Sequence, residues 1–192
     1  MKIIPTGKKL ILGSKSPRRQ QLLKELGLQF EVRTKEVKEN YPQHLKGFEI
    51  AEFLAEKKSN AFLSSLDENE IVLTSDTVVW CNGESLEKAR NEEEALQMLM
   101  KISGKTHEVI TGVCLQSLDK KIVFHDTVKV HFMEMSRKTM EYYVQNYQPF
   151  DKAGAYGIQE WLGMVAIKGI EGSFFTVMGL PTHRILEKIP LF

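Results

Sequence analysis

The pattern of apolar and polar residues divides the chain into alternating extended and helical segments. At the start, KKLILGS predicts a short buried strand that ends at Gly13. Leucines at helical spacing follow directly, with Ser16 as a good N-cap, Pro17 in the first helical position and Gly27 at the end. The chain is therefore predicted to begin with a strand, a tight turn and a helix.

The rest of the pattern predicts helices interspersed with strands and hairpins. An extended stretch over residues 28–40 runs into a polar loop, and a helix lies near residues 48–65. EIVLTSDTVVW is strongly strand-like and precedes an Asn82-Gly83 hairpin turn. The later elements are a helix capped by Asn91, a hairpin around Asp119-Lys120, a helix capped by Ser136, apolar segments around Met164–Ile167 and Phe174–Val177, and a helix from Pro181 toward Lys188. Because hairpins interrupt the alternation, we expect a single α/β domain over residues 1–192, with a mixed sheet flanked by helices.

Composition narrows the function without identifying it. Hydrophobic residues make up 42% and charged residues 27% of the chain, as in an ordinary globular protein. The net charge is +1, so we expect no general binding to nucleic acid or membrane surfaces, and any cationic site must be local. Cys81 and Cys114 form no metal-binding motif and are expected to be buried and reduced. No segment suits a signal peptide or a membrane span, so we expect a cytoplasmic protein.

Two arginines occupy the first turn of the opening helix, where a helix disfavours positive charge. Arg18 and Arg19 lie at the positive end of the helix dipole, which costs about 0.3–1 kcal/mol for each cation. The free N–H groups there bind anions, so Ser14, Ser16 and the two arginines form a candidate phosphate cradle that is repulsive when empty. GSKSPRR is not a Walker A motif. A solvated loop or a kinase target sequence is the alternative, and these residues alone leave both open.

Asp76 places a carboxylate inside the apolar strand EIVLTSDTVVW. Burying an unpaired carboxylate is costly, so this position requires a reason. Asp76 either meets a lysine or backbone donors, or tops the strand at a turn, or serves as a metal ligand or general base beside a cleft. We favour the last interpretation.

Four further side chains are candidates mainly in combination, and a fifth, His107, is not a candidate. Lys57 lies on the apolar face of its predicted helix, where a lysine usually extends to solvent. Taken alone, Lys88 and Glu39 are ordinary surface residues. Gln159 ends the glycine-rich DKAGAYGIQ and is either a turn residue or a group that recognises a base. His107 is expected to be a structural, hydrogen-bonded histidine.

Several of these stretches occur together, in one order, in the Maf family of septum-formation-inhibitor-like nucleotide pyrophosphatases, which the chain resembles over nearly its whole length. The matching stretches are LILGSKSPRRQQLLKELG, EKKSNA, SDTVV, LEKAR, MLMKISGKTHEVITGV, DKAGAYGIQ and VMGLP. The resemblance implies the inosine-triphosphatase-like fold, with two small lobes around a cleft. It also implies hydrolysis of a nucleoside triphosphate to a monophosphate and pyrophosphate, and it suggests a homodimer.

The family's functional residues fall on particular positions of this chain. The resemblance implies that Asp76 is the catalytic base and that Glu39 is the glutamate of the loop after the first helix. The other positions that it implies are Ser16, Arg18 and Arg19 of the SPRR motif, the lysines Lys57 and Lys88, and Gln159. To these we add Ser14 in the phosphate cradle and Thr77 in the wall of the base pocket.

The residue types suit this chemistry. The arginines and lysines would neutralise the charge that develops on the leaving pyrophosphate. We expect Asp76 and Glu39 to hold a divalent cation, Mg²⁺ or Mn²⁺, with several waters. One of these waters, deprotonated with help from Asp76, would attack the α-phosphorus in line. The five histidines form no recognisable triad motif.

The predicted substrates are dTTP and UTP, with their 5-substituted relatives. The amide of Gln159 can accept from N3–H of uracil or thymine and donate to a neighbouring carbonyl, provided that neighbours lock it in place. The resemblance agrees, because the family members that carry YGIQ and DTV are those specific for uracil and thymine. Two departures bear on this prediction. Glu160, where glycine is frequent, adds a negative charge near the pocket, and Ala89, where proline is usual, leaves the Lys88 loop less fixed.

Two other functions stay open. A non-catalytic nucleotide-binding regulator that restrains cell division would need the cradle but not the base. A pyrophosphatase specific for a methylated GTP would share the mechanism and differ in the base pocket. A sugar-phosphate or small-phosphate hydrolase would leave Gln159 and Thr77 without a base to contact. The residues also leave open whether the enzyme removes non-standard nucleotides or lowers a normal pool.

Overall fold

Seven strands and seven α-helices make up the computed structural model, which describes residues 3–192. The strands are β1 (Lys9–Leu12), β2 (Phe30–Val32), β3 (Glu70–Cys81), β4 (Glu84–Leu86), β5 (Thr106–Gln116), β6 (Lys121–Phe132) and β7 (Ile167–Glu171). The α-helices are α1 (Pro17–Glu25), α2 (Phe48–Asn60), α3 (Glu92–Ile102), α4 (Arg137–Tyr147), α5 (Trp161–Ala166), α6 (Phe174–Val177) and α7 (Thr182–Lys188). Short 3₁₀ turns lie at Leu63–Ser65 and Ile189–Leu191.

All seven strands belong to one mixed sheet, which confirms the predicted fold class. The strand order is β2-β1-β3-β5-β6-β7, and β4 pairs with the end of β3. β1 is parallel to both β2 and β3, whereas the other pairs are antiparallel. None of the helices in the described part of the chain is long and apolar enough to cross a membrane.

One edge of β3 is open in the middle. β1 pairs with residues 70–73 of β3 and β4 pairs with residues 79–81, so residues 74–78 have no strand partner on that edge within residues 3–192. Successive side chains of a strand point to opposite faces. At this gap, however, the side chains of both Asp76 and Thr77 border the same cavity. At the interrupted edge, residues from both faces of the sheet therefore contribute to one site.

Helices cover both faces of the sheet. α2 packs on one face, against β3 and β5, at a distance that Gly112 permits, because a Cβ there would lie 2.3 Å from the backbone of Ala51. On the other face, one apolar cluster joins α1 and α7 to the first half of β3, and a second joins α3, α4 and α5 to its second half. These clusters form the cores of the two lobes expected from the resemblance.

Local signals in the sequence explain most element ends. Ser16, Asn91 and Ser136 cap α1, α3 and α4 with their side chains, as predicted. Asn82 and Gly83 both adopt positive φ, 52° and 83°, in the predicted hairpin turn.

Some predicted boundaries change. The helix expected over residues 48–65 ends at Asn60, and a separate 3₁₀ turn follows it. The apolar segment 164–167 divides between α5 and β7, and the final helix begins at Thr182, just after Pro181.

Three buried side chains behave as expected. Cys81 and Cys114 are buried and free. His107 is 2% exposed, and its Nε2 lies 2.7 Å from the Tyr156 hydroxyl. Burial lowers the pKa of His107 to about 4, so this histidine is neutral and structural.

Candidate active site

The open stretch of β3 borders a cavity between the N-terminus of α1, the loop between β2 and α2, and residues 151–159. It brings together every site residue predicted from the sequence except Lys57. The predicted residues that line it are Ser14, Ser16, Arg18, Arg19, Glu39, Asp76, Thr77, Lys88 and Gln159. The phosphate cradle at α1, the glycine-rich segment and Asp76 therefore border the same space.

Alternating charges cross this cavity. Lys58 Nζ lies 2.5 Å from Asp76 Oδ1 and 2.7 Å from Glu39 Oε1. Lys88 Nζ lies 3.0 Å from Glu39 Oε2. Asp76 thus meets a lysine, one of the alternatives that the sequence left open, but it does so inside the cavity. Its second oxygen, Oδ2, makes no hydrogen bond to any residue in the described part of the chain.

The structure corrects the assignment of Lys57. Its ammonium lies outside the cavity, 2.6 Å from Asn40 Oδ1, and over the ring of Phe53. The adjacent Lys58 enters the site instead. The buried side of α2 includes Ala51, Leu54 and Ala55, and Lys58 follows these residues by seven, four and three positions. The sequence therefore contained the correct spacing, but the larger Phe53 suggested the wrong face.

The two carboxyl groups differ in pKa. Burial raises the pKa of Asp76, although the charges of Lys58 and Arg19 oppose this. Burial also acts to raise the pKa of Glu39, but there the contacts with Lys58 and Lys88 dominate and lower the pKa to about 2. Asp76, whose side chain is 13% exposed, is therefore the better proton acceptor, while Glu39 stays ionised.

Arg19 is built into the wall of the site. Its Nε donates to the carbonyl of Gly179 at 2.9 Å, and its NH1 group donates to the carbonyl of Ser75 at 2.9 Å and to Ser14 Oγ at 3.4 Å. Its NH2 group donates to Thr77 Oγ1 at 3.3 Å. In the part of the chain that the structure describes, four of the five guanidinium N–H groups thus have acceptors, and one is left for a ligand.

This arrangement changes the expectation for the two arginines of the first turn. Among residues 3–192, the only ion pair of Arg18 is the 3.3 Å contact with the exposed carboxylate of Asp151. Arg18 therefore fits the predicted cradle that is satisfied only by an anion. Arg19 does not, because backbone carbonyls already compensate its charge in the empty protein. Burial lowers the pKa of Arg19, and the nearby carboxylate of Asp76 opposes that effect.

The glycine-rich segment lines the cavity with Asp151, Tyr156, Gly157 and Gln159 among others. Gly154 and Ala155 adopt positive φ, and the amide of Gly157 donates to the Tyr143 hydroxyl at 3.1 Å. The backbone of the segment is therefore tight, as expected. The amide of Gln159 is exposed and makes no hydrogen bond to any of residues 3–192, so the predicted lock on this side chain is not formed by the protein itself.

The two departures from the family pattern are accommodated structurally. Glu160 accepts a hydrogen bond from the Tyr143 hydroxyl and lies 2.9 Å from Nζ of Lys152, a residue that lines the cavity, so its charge is paired although Glu160 itself does not line the cavity. An antiparallel bridge between Lys88 and Ala153 holds the lysine loop without a proline.

An α/β fold whose cleft joins a cationic helix N-terminus to a carboxylate on an interrupted strand agrees with the resemblance found in the sequence. The chain belongs to the Maf family: residues 9–190 match the family model described as Maf-like protein.

Its similar relatives include the dTTP/UTP pyrophosphatase of Flavobacterium johnsoniae, which is 52% identical over 93% of this chain and 92% of its own length. The dTTP/UTP pyrophosphatase of Phocaeicola vulgatus is 46% identical, and the match covers 94% of both chains. The solved structure of the Staphylococcus aureus Ham1 protein overlaps 65% of this chain and 72% of its own, with 18% identity and a TM-score of 0.48.

Proposed function

We propose that this protein hydrolyses dTTP and UTP to the nucleoside monophosphate and pyrophosphate. The observation that carries the proposal is Asp76, a largely buried carboxyl group with a raised pKa and a free oxygen beside a cationic cradle. The names of relatives with 42–52% identity supply the substrate class. The homodimer and a role in cell division stay predictions.

The oxygen of Asp76 that Lys58 does not contact, Oδ2, would act as the general base of the reaction. Asp76 Oδ2 would take a proton from a water as the water oxygen forms a bond to the α-phosphorus. The bond from that phosphorus to the α–β bridging oxygen breaks, and pyrophosphate leaves with the electron pair. The contact with Lys58 occupies the other oxygen of Asp76, so the carboxylate is held in one orientation.

Cationic groups on three elements would stabilise the leaving pyrophosphate. Arg18 contributes a guanidinium at the start of α1, Lys58 an ammonium on α2, and Lys88 an ammonium after β4. Ser14 and Ser16 add hydroxyl groups beside the N-terminus of α1. In a cleft that excludes bulk water, such donors stabilise developing phosphate charge more strongly than water does.

We propose that Asp76 and Glu39 hold a divalent cation, Mg²⁺ or Mn²⁺, jointly with the nucleotide. Within residues 3–192 no group of three or more His, Cys, Asp or Glu side chains is arranged to hold a metal ion. Mg²⁺ commonly binds one or two carboxylates together with substrate phosphates, and this pair fits that donor set. When bound, the ion would supply positive charge to phosphate oxygens and acidify a coordinated water.

Calorimetry tests the metal proposal separately from turnover. We expect Mg²⁺ to bind weakly to the free protein and much more tightly in the presence of a non-hydrolysable α,β-methylene analogue of dUTP. Glu39→Gln should reduce this difference. Equal metal affinity with and without the analogue would contradict a jointly held ion.

Hydrolysis in ¹⁸O-labelled water tests the reaction itself. Attack at the α-phosphorus places the label in the monophosphate, whereas attack at the β-phosphorus places it in pyrophosphate. The assay should use dTTP, UTP, CTP, GTP and a methylated GTP, with both products identified. Label in pyrophosphate would refute the mechanism, and nucleotide binding without turnover would favour the regulator. A preference for a methylated GTP would refute the proposed substrate but not the mechanism.

A further inference from the structure

A line of hydrogen bonds runs from Arg19 through Thr77, which lines the cavity, to Thr111 and Thr176, which do not. Arg19 NH2 lies 3.3 Å from Thr77 Oγ1, which lies 2.9 Å from Thr111 Oγ1. Thr111 Oγ1 in turn donates to the carbonyl of Thr176 at 2.8 Å. Thr111 is fully buried and does not line the cavity, whereas Thr77 does.

The direction of every bond in this line is fixed by its two ends. A guanidinium can only donate, so Thr77 accepts from Arg19. A carbonyl can only accept, so Thr111 donates its one hydroxyl proton to the carbonyl of Thr176. Thr77 must therefore donate its own proton to Thr111. This keeps the Thr77 proton turned away from Arg19 and a lone pair turned toward it.

Thr111 reaches Arg19 by a second route, through the segment from Thr176 to Gly179. The carbonyl of Gly179 accepts from Arg19 Nε at 2.9 Å. The same segment is tied to the sheet at Thr176, where the carbonyl accepts from Thr111 and the hydroxyl donates to Asp126 Oδ2 at 2.5 Å. The side of Arg19 that faces this segment thus also depends on the Thr111 bond.

We propose that Thr111 is a positioning residue that sets the orientation of the Arg19 guanidinium, and so the direction of the one N–H that remains for the substrate. The inference rests on the proposed function only in naming a phosphate group as the target of that N–H. Without Thr111 as acceptor, the Thr77 proton can turn toward Arg19, where two donors would oppose each other. The segment that carries the Gly179 carbonyl would at the same time lose one of its ties to the sheet, and the bonds from Thr176 to Asp126 and from Ser75 to Gly179 would remain.

Thr111→Val tests this because valine keeps the shape and the strand preference of threonine but removes the hydroxyl. We expect kcat/KM for the preferred triphosphate to fall by about tenfold or more, the scale of losing a hydrogen bond at a charged group. Most of the loss should appear in KM. Thr111→Ser restores the hydroxyl and should lie within about threefold of the wild type, a rescue that a packing role would not give. Thr106→Val, which removes a hydroxyl from the far end of β5, is the matched control and should leave kcat/KM unchanged.

A double-mutant cycle separates the specific role from general weakening. In an Arg19→Lys background, Thr111→Val should cause little further loss of kcat/KM, because the planar guanidinium that Thr111 orients is absent. A full multiplicative loss in that background would overturn the proposal. Wild-type activity in Thr111→Val, or equal losses in Thr111→Val and Thr111→Ser, would also overturn it.

Two further measurements keep the test decisive. If Thr111→Val does not fold, Asp126→Ala loosens the same segment from a partly exposed position and should lower kcat/KM about threefold to tenfold. An unchanged value would then overturn the second route. Calorimetric binding of inorganic pyrophosphate to the wild type and to Thr111→Ser and Thr111→Val is independent of turnover. If the wild type hydrolyses nothing, the proposed function fails, while weaker pyrophosphate binding by Thr111→Val still supports the positioning role.

Discussion

Replacing Arg19 with alanine should destabilise the empty protein, whereas replacing the adjacent Arg18 should leave its stability nearly unchanged. Arg19→Ala removes the guanidinium donors of the carbonyl oxygens of Ser75 and Gly179, both in buried residues, and leaves Gly179 only the 3.4 Å contact from Ser75 Oγ. An orphaned buried acceptor costs about 1–3 kcal/mol. Removing the unfavourable positive charge from the first turn of α1 offsets part of this cost, by about 0.3–1 kcal/mol. We therefore expect Arg19→Ala to lower the free energy of unfolding by about 2–4 kcal/mol.

Arg18→Ala removes much less. Its ion pair with Asp151, at 3.3 Å, joins a partly exposed guanidinium to a carboxylate that is 62% exposed. Such pairs contribute about 0–1 kcal/mol, and the same relief of charge at the helix start offsets this. The free energy of unfolding should therefore change by less than about 0.5 kcal/mol.

Thermal denaturation without nucleotide measures the difference. In a protein of this size 1 kcal/mol corresponds to about 2–4 °C in Tm, so Arg19→Ala should melt about 4–16 °C lower and Arg18→Ala within about 2 °C of the wild type. Arg19→Lys is the control that keeps the charge but loses the planar fork, and it should fall between them. Both alanine variants should raise KM. If they melt at the same temperature, the argument that Arg19 is held by the protein and Arg18 by the ligand is wrong.

Four more outcomes follow from the site. Asp76→Asn should fold normally and lose at least ~100-fold in kcat, as expected on removal of a general base, and near-normal turnover would exclude that role. In steady-state kinetics, Lys58→Ala should lower kcat/KM strongly, whereas Lys57→Ala, its matched control outside the cavity, should not. The reverse result would show that Lys57 is the site lysine, as the sequence suggested. Because burial raises the pKa of Asp76, kcat/KM should decline as pH is lowered through that pKa. The pKa of Glu39 is lowered from 4.5 to about 2, so its contribution to stability is present above about pH 4.5 and is lost as pH falls toward 2. Glu39→Gln should remove that part of the pH dependence of unfolding. Gln159→Glu should reduce kcat/KM for UTP more than for GTP, and an unchanged ratio would show that Gln159 does not recognise the base.

The sequence by itself determined the local elements and the chemistry of the cleft. Caps such as Ser16 and turns such as Asn82-Gly83 act within a few residues, so their effect can be predicted without the fold. The unusual arginines of the first turn and the carboxylate of Asp76 stood out because each contradicts its own local surroundings. Motifs in a fixed order then predicted that these distant stretches share one site.

Only the tertiary structure decided which of two adjacent side chains enters the cavity and which is bound by the rest of the protein. Lys57 and Lys58 differ by one position on α2, and the packing of that helix at Gly112 decided which of them enters the cavity. Arg18 and Arg19 look equivalent until the carbonyl of Gly179, contributed from the far end of the chain, binds one of them. Such contacts join residues far apart in the sequence, and local spacing carries no information about the geometry in which they meet.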